Sequence, residues 1–358
     1  MTYRRGQKRN PFLRNAITDN DTSCVVDKVS AMTSQVTERI PNVESVFNYG
    51  DFTSLSAAIM MITNGLFGVV CNSFVIYIFC KEKNEKTSFN VICMVRAVVN
   101  LFTIITNHLM IFVPTTLIGK SFISKTLETW MISMCNSLYV ANEFSTVLIA
   151  VNRLIAIFFS MYYTKLCGMK PTIWILVFIY AYRIIAVTME VVKFTGNDCY
   201  STYSVVSLSW VSDYSPNCVA IVNNSSVVEF MAAMFLLVFV INMATLTKIC
   251  MFYKNRNKED TESYKRIKKN VFLFIQTCIQ DSLYVIDVSC TFYFVSLYDN
   301  RFWTFICGTF VWESLHSLDG FIMILFKERL PFLQKHLFKR TPSKIVTFQV
   351  SQNTTKFI

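Results

Sequence analysis

The sequence predicts an all-α membrane protein, a seven-transmembrane helix bundle with its N-terminus outside the cell and its C-terminus in the cytoplasm. Three observations support this fold class. The chain of 358 residues is 53% hydrophobic and only 16% charged, whereas soluble domains carry about 25% charged residues. Seven apolar stretches reach the length of roughly 20 residues that a membrane-spanning helix needs. Lys and Arg are concentrated in alternate loops, as positive-inside orientation requires.

The seven apolar stretches follow one another along almost the whole chain. Their approximate bounds are 55–80, 88–113, 129–159, 172–192, 227–250, 270–295 and 302–326. These runs are too long and unbroken for transmembrane β-strands, so we interpret them as helices. The first carries no charge, and charged residues interrupt several others: Arg96, Glu143, Arg153, Arg183, Glu190, Asp281, Asp287, Glu313 and Asp319.

The distribution of positive charge predicts the orientation of the bundle. Loops after the first, third and fifth stretches, together with the C-terminal tail, hold 20 Lys and Arg residues, and the other three loops hold 4. The first set is therefore expected in the cytoplasm. The chain divides into a flexible extracellular segment (1–53), the seven-helix bundle (54–326) and a cytoplasmic tail (327–358) with a short amphipathic helix, in contact with the lipid bilayer.

The N-terminal 50 residues contain no apolar signal-peptide core, so the first span is expected to act as its own insertion signal. Met32 is an alternative start position. Glycosylation sequons on the predicted outer side agree with the orientation, and their acceptors are Asn20, Asn223 and Asn224.

Several function classes are excluded by what the sequence lacks. It contains no Cys-x-x-Cys pair, and its three His residues lie far apart, so we expect no zinc site, no histidine box and no cofactor. The sequence also lacks the combination of a nucleophile with a neighbouring base that would indicate an enzyme. The net charge of +11 follows from the cytoplasmic loops of a membrane protein, so nucleic acid is not an expected partner.

Arg153 lies inside an apolar stretch and needs an explanation. On insertion scales a central Arg costs about 2.5–3.5 kcal/mol, and each apolar neighbour offsets about 0.3–0.6 kcal/mol. Because the third stretch is long, Arg153 is expected near its cytoplasmic end. An anchor that reaches the membrane interface is one interpretation.

The residues around Arg153 carry a family resemblance. The run Asn152-Arg153-Leu154, followed by Ala156-Ile157 and by Ser160-Met161-x-Tyr163, resembles the DRY signature at the third helix of G-protein-coupled receptors. It is more similar to the N-R-F-x-A form of nematode chemoreceptors of serpentine receptor class X (Srx). The resemblance covers most of the chain after the N-terminus. Further matching motifs are Thr245-x-x-Lys248-Ile249, Phe274-Ile275-Gln276-Thr277-Cys278-x-Gln280, Trp303-x-Phe305, Thr309-Phe310-x-Trp312, His316-x-x-Asp319-Gly320 and Phe326-Lys327-Glu328-Arg329.

The resemblance implies a chemosensory receptor that binds a small environmental or pheromone-like ligand and activates a heterotrimeric G protein. It implies a multi-pass plasma-membrane protein of a sensory neuron cilium. Contact with the Gα subunit is expected from Asn152, Arg153, Tyr163, Lys265 and Arg266. The chain departs from the family pattern at two positions, where it has Ser160 for Pro and Lys327 for Asn, and Asn152 replaces the acid seen in most receptors.

Polar residues recur at steps of three and four inside the spans, which places them on single helix faces. The resemblance implies a central polar network; its candidate members are Asn72, Asn100, Gln276, Gln280, His316 and Asp319. Simple interhelical hydrogen bonding is the alternative. Candidate ligand contacts toward the outer half are Asn107, Asn136, Tyr139, Trp303 and Trp312, although aromatic stripes also serve packing.

Cys199 and Cys218 flank a segment of the second outer loop, where the oxidising side of the membrane favours a disulfide. Such a bond would close a hairpin-like lid. Two alternative partners remain open in the sequence. Cys24 lies on the same predicted side, and Cys135 lies roughly 10 Å deep in the third helix at 1.5 Å per residue.

Two other function classes compete with the receptor. A transporter or ligand-gated channel would also use charges inside the membrane, but the halves show no repeat and no paired Gly/Pro-broken helices. A membrane enzyme would need the catalytic constellations that are missing here.

The orientation of the chain is directly testable. With an epitope tag at each end of the full chain in cultured cells, we expect the N-terminal tag to stain before permeabilisation and the C-terminal tag only afterwards. The reverse pattern would contradict the receptor topology and favour a channel.

Overall fold

The computed structural model describes residues 51–82, 86–159, 161–213, 218, 226–254 and 261–325. Most of them lie in seven long helical segments that match the predicted stretches. These are α1 (Phe52–Lys81), α2 (Ser88–Ile118), α3 (Lys125–Phe158), α4 (Met169–Thr195), α5 (Ser226–Lys254), α6 (Thr261–Phe292) and α7 (301–325, made of Arg301–Thr304, Phe305–Phe310 and Val311–Leu325). Short helical pieces precede α4 (Tyr163–Leu166) and follow α6 (Phe294–Leu297).

Six of the described helical segments are long and apolar enough to cross a membrane. The seventh, α7, carries Glu313, His316 and Asp319 near its middle, which lowers its hydropathy although it packs inside the bundle. Several predictions lie outside the described residues: the N-terminal and tail segments, the amphipathic helix, Cys24, Ser160, Lys327 and the acceptors Asn20, Asn223 and Asn224.

Local sequence explains where several helices begin and end. Thr87 and Ser124 each accept a hydrogen bond from a backbone N–H three residues further on, which caps α2 and α3. Asn300 caps α7 in the same way, with 2.8 Å from its Oδ1 to the Phe302 nitrogen. Gly119 ends α2 with a φ of 84°, a conformation that glycine adopts without strain.

Two helices contain wider, π-helical segments. These segments are Ile104–Phe112 in α2 and Phe305–Phe310 in α7. In α2 the wider turn carries Asn107 and His108, both fully buried. Turns of this kind often mark functional sites. Both segments lie at the same end of the bundle, which is therefore a candidate location for a site.

A β-hairpin covers that end of the bundle, which we call the hairpin end. Its strands, β1 (Ser201–Ser204) and β2 (Ser209–Ser212), pair antiparallel. The predicted disulfide is confirmed, because Cys199 and Cys218 are bonded, with their Cα atoms 5.7 Å apart. The opposite end, where Arg153 lies, is called the Arg153 end.

Side chains of the hairpin reach into the helices. The Tyr203 ring stacks on Phe112 with 4.3 Å between ring centroids, and its hydroxyl lies 3.0 Å from the Thr116 hydroxyl. Burial raises the pKa of the Tyr203 phenol above its usual range. Leu208 is also fully buried, so the hairpin contributes to the core.

Polar contacts from three helices fasten the hairpin. Glu128 of α3 accepts a hydrogen bond of 2.6 Å from the Tyr203 nitrogen, and Thr309 of α7 donates one of 2.8 Å to the Leu208 carbonyl. Arg301 donates to the Val205 carbonyl at 2.7 Å and to Asp51 at 3.1 Å. Together with the Thr116 contact, these bonds hold the hairpin to α2, α3 and α7, and Arg301 also joins α7 to Asp51 at the start of α1.

Among the described residues, two large apolar clusters form the core, and a small third one surrounds the disulfide with Phe194. The cluster at the hairpin end includes Met61, Phe112, Tyr139, Phe305 and Trp312. The cluster at the Arg153 end includes Val75, Ile92, Ile149, Leu176 and Met323. Where a cluster is removed from water, its burial contributes about 25 cal/mol per Å² of apolar surface. Where the helices are surrounded by lipid, close packing of the side chains stabilises the bundle instead.

Glycines allow α1 and α7 to approach closely. A Cβ atom added at Gly68 would clash with the Ser317 hydroxyl and lie 2.6 Å from Cδ1 of Ile104. Close backbone approach at small residues is a main source of helix association in membranes. Gly68 and Gly320 therefore set the distance between these two helices.

Replacement of Gly68 by Ala tests this packing. Because the new methyl group has no space, Gly68→Ala should destabilise the protein by about 1–3 kcal/mol, measured as a lower thermal unfolding midpoint in detergent. Gly308→Ala is the matched control, because its Cβ would meet only the Ser209 hydroxyl, at 3.2 Å. Equal effects of the two changes would show that the α1–α7 approach is not limiting.

Candidate functional site

The centre of the bundle contains a buried ion pair. Arg96 of α2 donates from Nη2 to Oδ1 of Asp319 in α7 over 2.8 Å, and both side chains are about 1% exposed. In a membrane interior an unpaired guanidinium is costly. The pair therefore explains why the chain has an Arg inside its second span.

Arg96 makes further contacts with α3 and α6. Its Nη1 donates to the Thr146 hydroxyl at 3.0 Å, and its Nη2 donates to the Tyr284 hydroxyl at 3.2 Å. The guanidinium also lies 5.5 Å from the centroid of the Tyr284 ring, within the range of a cation–π contact. One side chain thus links four helices.

Asp319 is equally well connected. Asn100 donates to its Oδ2 at 2.8 Å, and Gln280 donates to its Oδ1 at 2.7 Å. Asn72 donates to the His316 carbonyl at 3.1 Å, and Nδ1 of His316 lies 2.9 Å from Oδ1 of Asn100. The structure brings together these five predicted network residues. The sixth, Gln276, touches the group only through a 3.5 Å contact with Gln280.

We call this network around the Arg96–Asp319 pair the polar layer. Several of its members were not predicted from the sequence. Arg96 is one of the charges that interrupt the apolar stretches, but it is not among the predicted network residues. Asn142 donates to Oδ1 of Asn100 at 3.1 Å, and Tyr180 of α4 donates to Asn142 at 2.7 Å. Spacing on a single helix cannot reveal such partners, because each lies on a different helix.

A second polar site lies at the Arg153 end. Arg153 of α3 donates from Nη1 to the Thr277 hydroxyl of α6 at 2.6 Å, and its guanidinium lies 4.9 Å from the centroid of the Phe89 ring. Its side chain is largely buried, and Nε and Nη2 have no hydrogen-bond partner among the described residues. Arg153 therefore joins α3 to α6 and keeps unused donors.

Asn152 and Tyr163, which are predicted to act with Arg153, share one hydrogen-bond partner. Asn152 donates to the Ser88 hydroxyl of α2 at 3.2 Å, and that hydroxyl lies 2.9 Å from the Tyr163 hydroxyl. Ser88 was not singled out in the sequence. Lys265 and Arg266 lie in α6, but the structure does not describe their side chains.

The predicted ligand residues do not all meet. Tyr139 and Trp312 are buried neighbours, with 6.5 Å between ring centroids, whereas Asn136 is only partly buried on α3. Asn107 is fully buried in α2 and has no hydrogen-bond partner among the described residues. Trp303 instead donates to the Phe294 carbonyl at 2.7 Å, in the segment between α6 and α7.

No group of three or more metal-ligating side chains occurs within the part of the chain that the structure describes. The polar layer is thus a network of hydrogen bonds around one ion pair. Ion pairs of this kind add little net stability when formed, but removal of one partner leaves an uncompensated buried charge.

Comparison with known proteins gives consistent results. The family model described as serpentine type 7TM GPCR chemoreceptor Srx matches residues 62–327. Serpentine receptor class X 45 of Caenorhabditis elegans is 24% identical over 306 residues, which cover 78% of this chain and 81% of that protein. The crystal structure of squid rhodopsin superimposes with a TM-score of 0.60 at 14% identity, covering 80% of this chain and 85% of that one. The rhodopsin match concerns the fold alone.

The ion pair can be tested by removing one partner. Asp319→Asn leaves Arg96 buried without an anion and should lower the free energy of unfolding by about 3–5 kcal/mol. The double variant Arg96→Met with Asp319→Asn should recover most of this loss, because no buried charge remains. Thermal unfolding of the purified protein measures both effects.

Asp51→Asn is the control for this experiment. It breaks the more exposed ion pair with Arg301, in which the Asp51 side chain is 43% exposed, and pairs of that kind contribute about 1 kcal/mol or less. A double variant no more stable than Asp319→Asn alone would assign the loss to packing rather than to charge.

Proposed function

Because the chain belongs to the Srx family of serpentine seven-transmembrane GPCR chemoreceptors, we propose that it binds a small environmental or pheromone-like ligand at the hairpin end and activates a heterotrimeric G protein at the Arg153 end. Family membership confirms the resemblance drawn from the motif around Arg153 and from the motifs of the last three spans. The seven-helix fold also agrees with that of squid rhodopsin. The protein is accordingly a multi-pass membrane receptor.

The hydrogen bond between Arg153 and Thr277 is the observation that carries the coupling part of the proposal. It ties α3 to α6 at one end of the bundle and buries the guanidinium. An outward movement of α6 would break this bond and leave the donors of Arg153 free. A guanidinium can then donate to the unsatisfied carbonyls at the C-terminus of an inserted Gα helix.

Asn152 and Tyr163 fit a supporting role in this switch. Both contact the Ser88 hydroxyl, which holds the segment after α3 against α2. Because Asn is neutral, this arrangement does not depend on protonation of an acid next to Arg153. Lys265 and Arg266 add positive charge on α6 that suits a Gα surface.

The disulfide supports an outward-facing hairpin end. Disulfides persist in oxidising surroundings and are rare in the cytosol, and the bond between Cys199 and Cys218 lies at the hairpin end. We accordingly place the N-terminus outside, the tail inside, and sugars on Asn20, Asn223 and Asn224. Residence in the plasma membrane of a sensory cilium is part of the same proposal.

A transporter or ligand-gated channel was the alternative from the sequence. The family that the chain matches consists of receptors, and the buried Arg96 is joined to Asp319 and Tyr284 in the middle of the bundle. No observation on the described residues favours the alternative.

Coupling can be tested without knowing the ligand. Thr277→Val removes the bond that holds Arg153, and a hydrogen bond to a charged group contributes about 1.5–3 kcal/mol, so the open state should gain about tenfold or more. Ligand-independent nucleotide exchange on a co-reconstituted Gα subunit should rise accordingly. Arg153→Ala should abolish exchange in both backgrounds at unchanged expression.

Thr188→Val serves as the matched control, because this exposed Thr of α4 bonds only the Ile184 carbonyl of its own helix. Basal exchange should stay at the level of the unaltered receptor. If Arg153→Ala still supports exchange with a panel of Gα subunits, Arg153 is not the coupling residue.

A further inference from the structure

Three buried acceptor atoms near Tyr139 have no hydrogen-bond partner among the described residues. They are Oε1 of Glu143, Oδ1 of Asp287 and Nε2 of His316. All three side chains are at most 4% exposed. We call this group the acceptor cluster. Unpaired buried polar atoms are costly, so a group of them in one region indicates a missing partner.

Tyr139 connects the three members. Its hydroxyl donates to Oδ2 of Asp287 at 2.9 Å, which leaves only Oδ1 of that carboxylate unused. Glu143 follows Tyr139 by one helical turn on the same face of α3. The His316 ring lies 6.1 Å from the Tyr139 ring, centroid to centroid. The cluster thus lies between α3, α6 and α7, next to the polar layer.

The hydrogen-bond network determines which atom of His316 is free. Asn100 places its Nδ2 on Oδ2 of Asp319, so its Oδ1 is the atom that faces His316. An oxygen can only accept, and Nδ1 of His316 must therefore carry the hydrogen. In the neutral ring Nε2 is then a bare acceptor. When Glu143 and Asp287 are ionised, all three free atoms of the cluster accept hydrogen bonds, and a partner must donate them.

The charges of the bundle point the same way. Arg96 is already paired with Asp319, and Arg153 lies ten positions along α3 from Glu143, about 15 Å away at 1.5 Å per residue. Neither Glu143 nor Asp287 forms an ion pair with any described residue. A buried carboxylate is stable when it meets a cation that also donates hydrogen bonds.

Aromatic rings line the same region. The Tyr139 and Tyr284 rings lie 5.5 Å apart, centroid to centroid, and Trp312 lies 5.4 Å from His316. Aromatic faces attract cations, and Trp does so best. An apolar or aromatic ligand body can also pack against these rings, a contact that a small inorganic cation cannot make.

We propose that the ligand carries a protonated amine, whose N–H groups donate to Glu143 and Asp287 and to Nε2 of His316. A primary ammonium has three donors, which equals the number of free acceptors. The proposal deepens the proposed function, because it names the chemical class of the ligand. Binding is measured separately from G-protein activation, so the two can fail independently.

The test uses the purified full chain and pairs of probes that differ in one group. The pairs are 2-phenylethylamine with 2-phenylethanol, and tryptamine with its alcohol analogue. At millimolar concentration the amines should raise the thermal unfolding midpoint, and the alcohols should not. Glu143→Gln and Asp287→Asn should each weaken the amine effect, lowering the affinity by about thirtyfold or more, because a buried charge pair is lost.

Glu190→Gln is the control, since it removes an exposed acid of α4 by the same chemical change. It should leave the amine effect intact. If a carboxylate variant fails to fold, the amine and alcohol pairs on the unaltered chain still decide the question.

Three results would overturn the proposal. Equal stabilisation by alcohols would indicate a neutral ligand, and no stabilisation by any amine would exclude the class. Stabilisation by acidic pH alone, lost in both carboxylate variants, would show that protons fill the site.

Amine binding without G-protein activation would leave this inference standing and contradict the proposed function. If Thr277→Val raises nucleotide exchange but no amine stabilises the protein, the proposed function stands and this inference is contradicted.

Discussion

A guanidinium buried in the middle of a membrane bundle constrains everything around it. Arg96 requires an anion, acceptors for its remaining hydrogens and exclusion from lipid, and one face of α2 alone provides none of these. From three other helices, Asp319 supplies the anion and Thr146 and Tyr284 accept hydrogen bonds from the two terminal nitrogens. The helices cannot slide or rotate independently without exposing an unpaired charge, which in the low dielectric of the interior costs far more than a lost apolar contact.

This central layer separates two ends with different character. At the hairpin end, aromatic and acidic side chains lie under a fastened lid. At the Arg153 end, a cation is held by one hydroxyl. One face of α6 passes all of these regions, because Thr277, Gln280, Tyr284 and Asp287 follow at steps of three and four. Their partners are Arg153, Asp319, Arg96 and Tyr139 respectively.

A ligand among the acidic residues would therefore act on the helix that holds Arg153. Binding at Asp287 changes the contact between α3 and α6 at one end, and the hydrogen bond to Thr277 joins the same two helices at the other. Such an arrangement can work as a two-state element biased from both ends, provided that the ligand favours one state. The hairpin, with Tyr203 and Leu208 in the core, would limit this site to small molecules.

The sequence by itself determined the class of the protein. Length and hydropathy of the apolar stretches predicted the helices, because spanning a membrane leaves the backbone few other conformations. Cys199 and Cys218 were candidates for a disulfide because they flank one outer loop, and the motif around Arg153 followed from its neighbours in the chain. These are local features, each readable within about 20 residues.

Only the tertiary structure decided which polar residues act together. Arg96 and Asp319 are 223 positions apart, and nothing in either span identifies the other as its partner. The same holds for Glu143 and Asp287, which form no ion pair with any described residue. It also holds for Trp303, which binds the Phe294 carbonyl outside the predicted ligand group. Helical periodicity gives the face of each helix, but packing in three dimensions decides what that face meets.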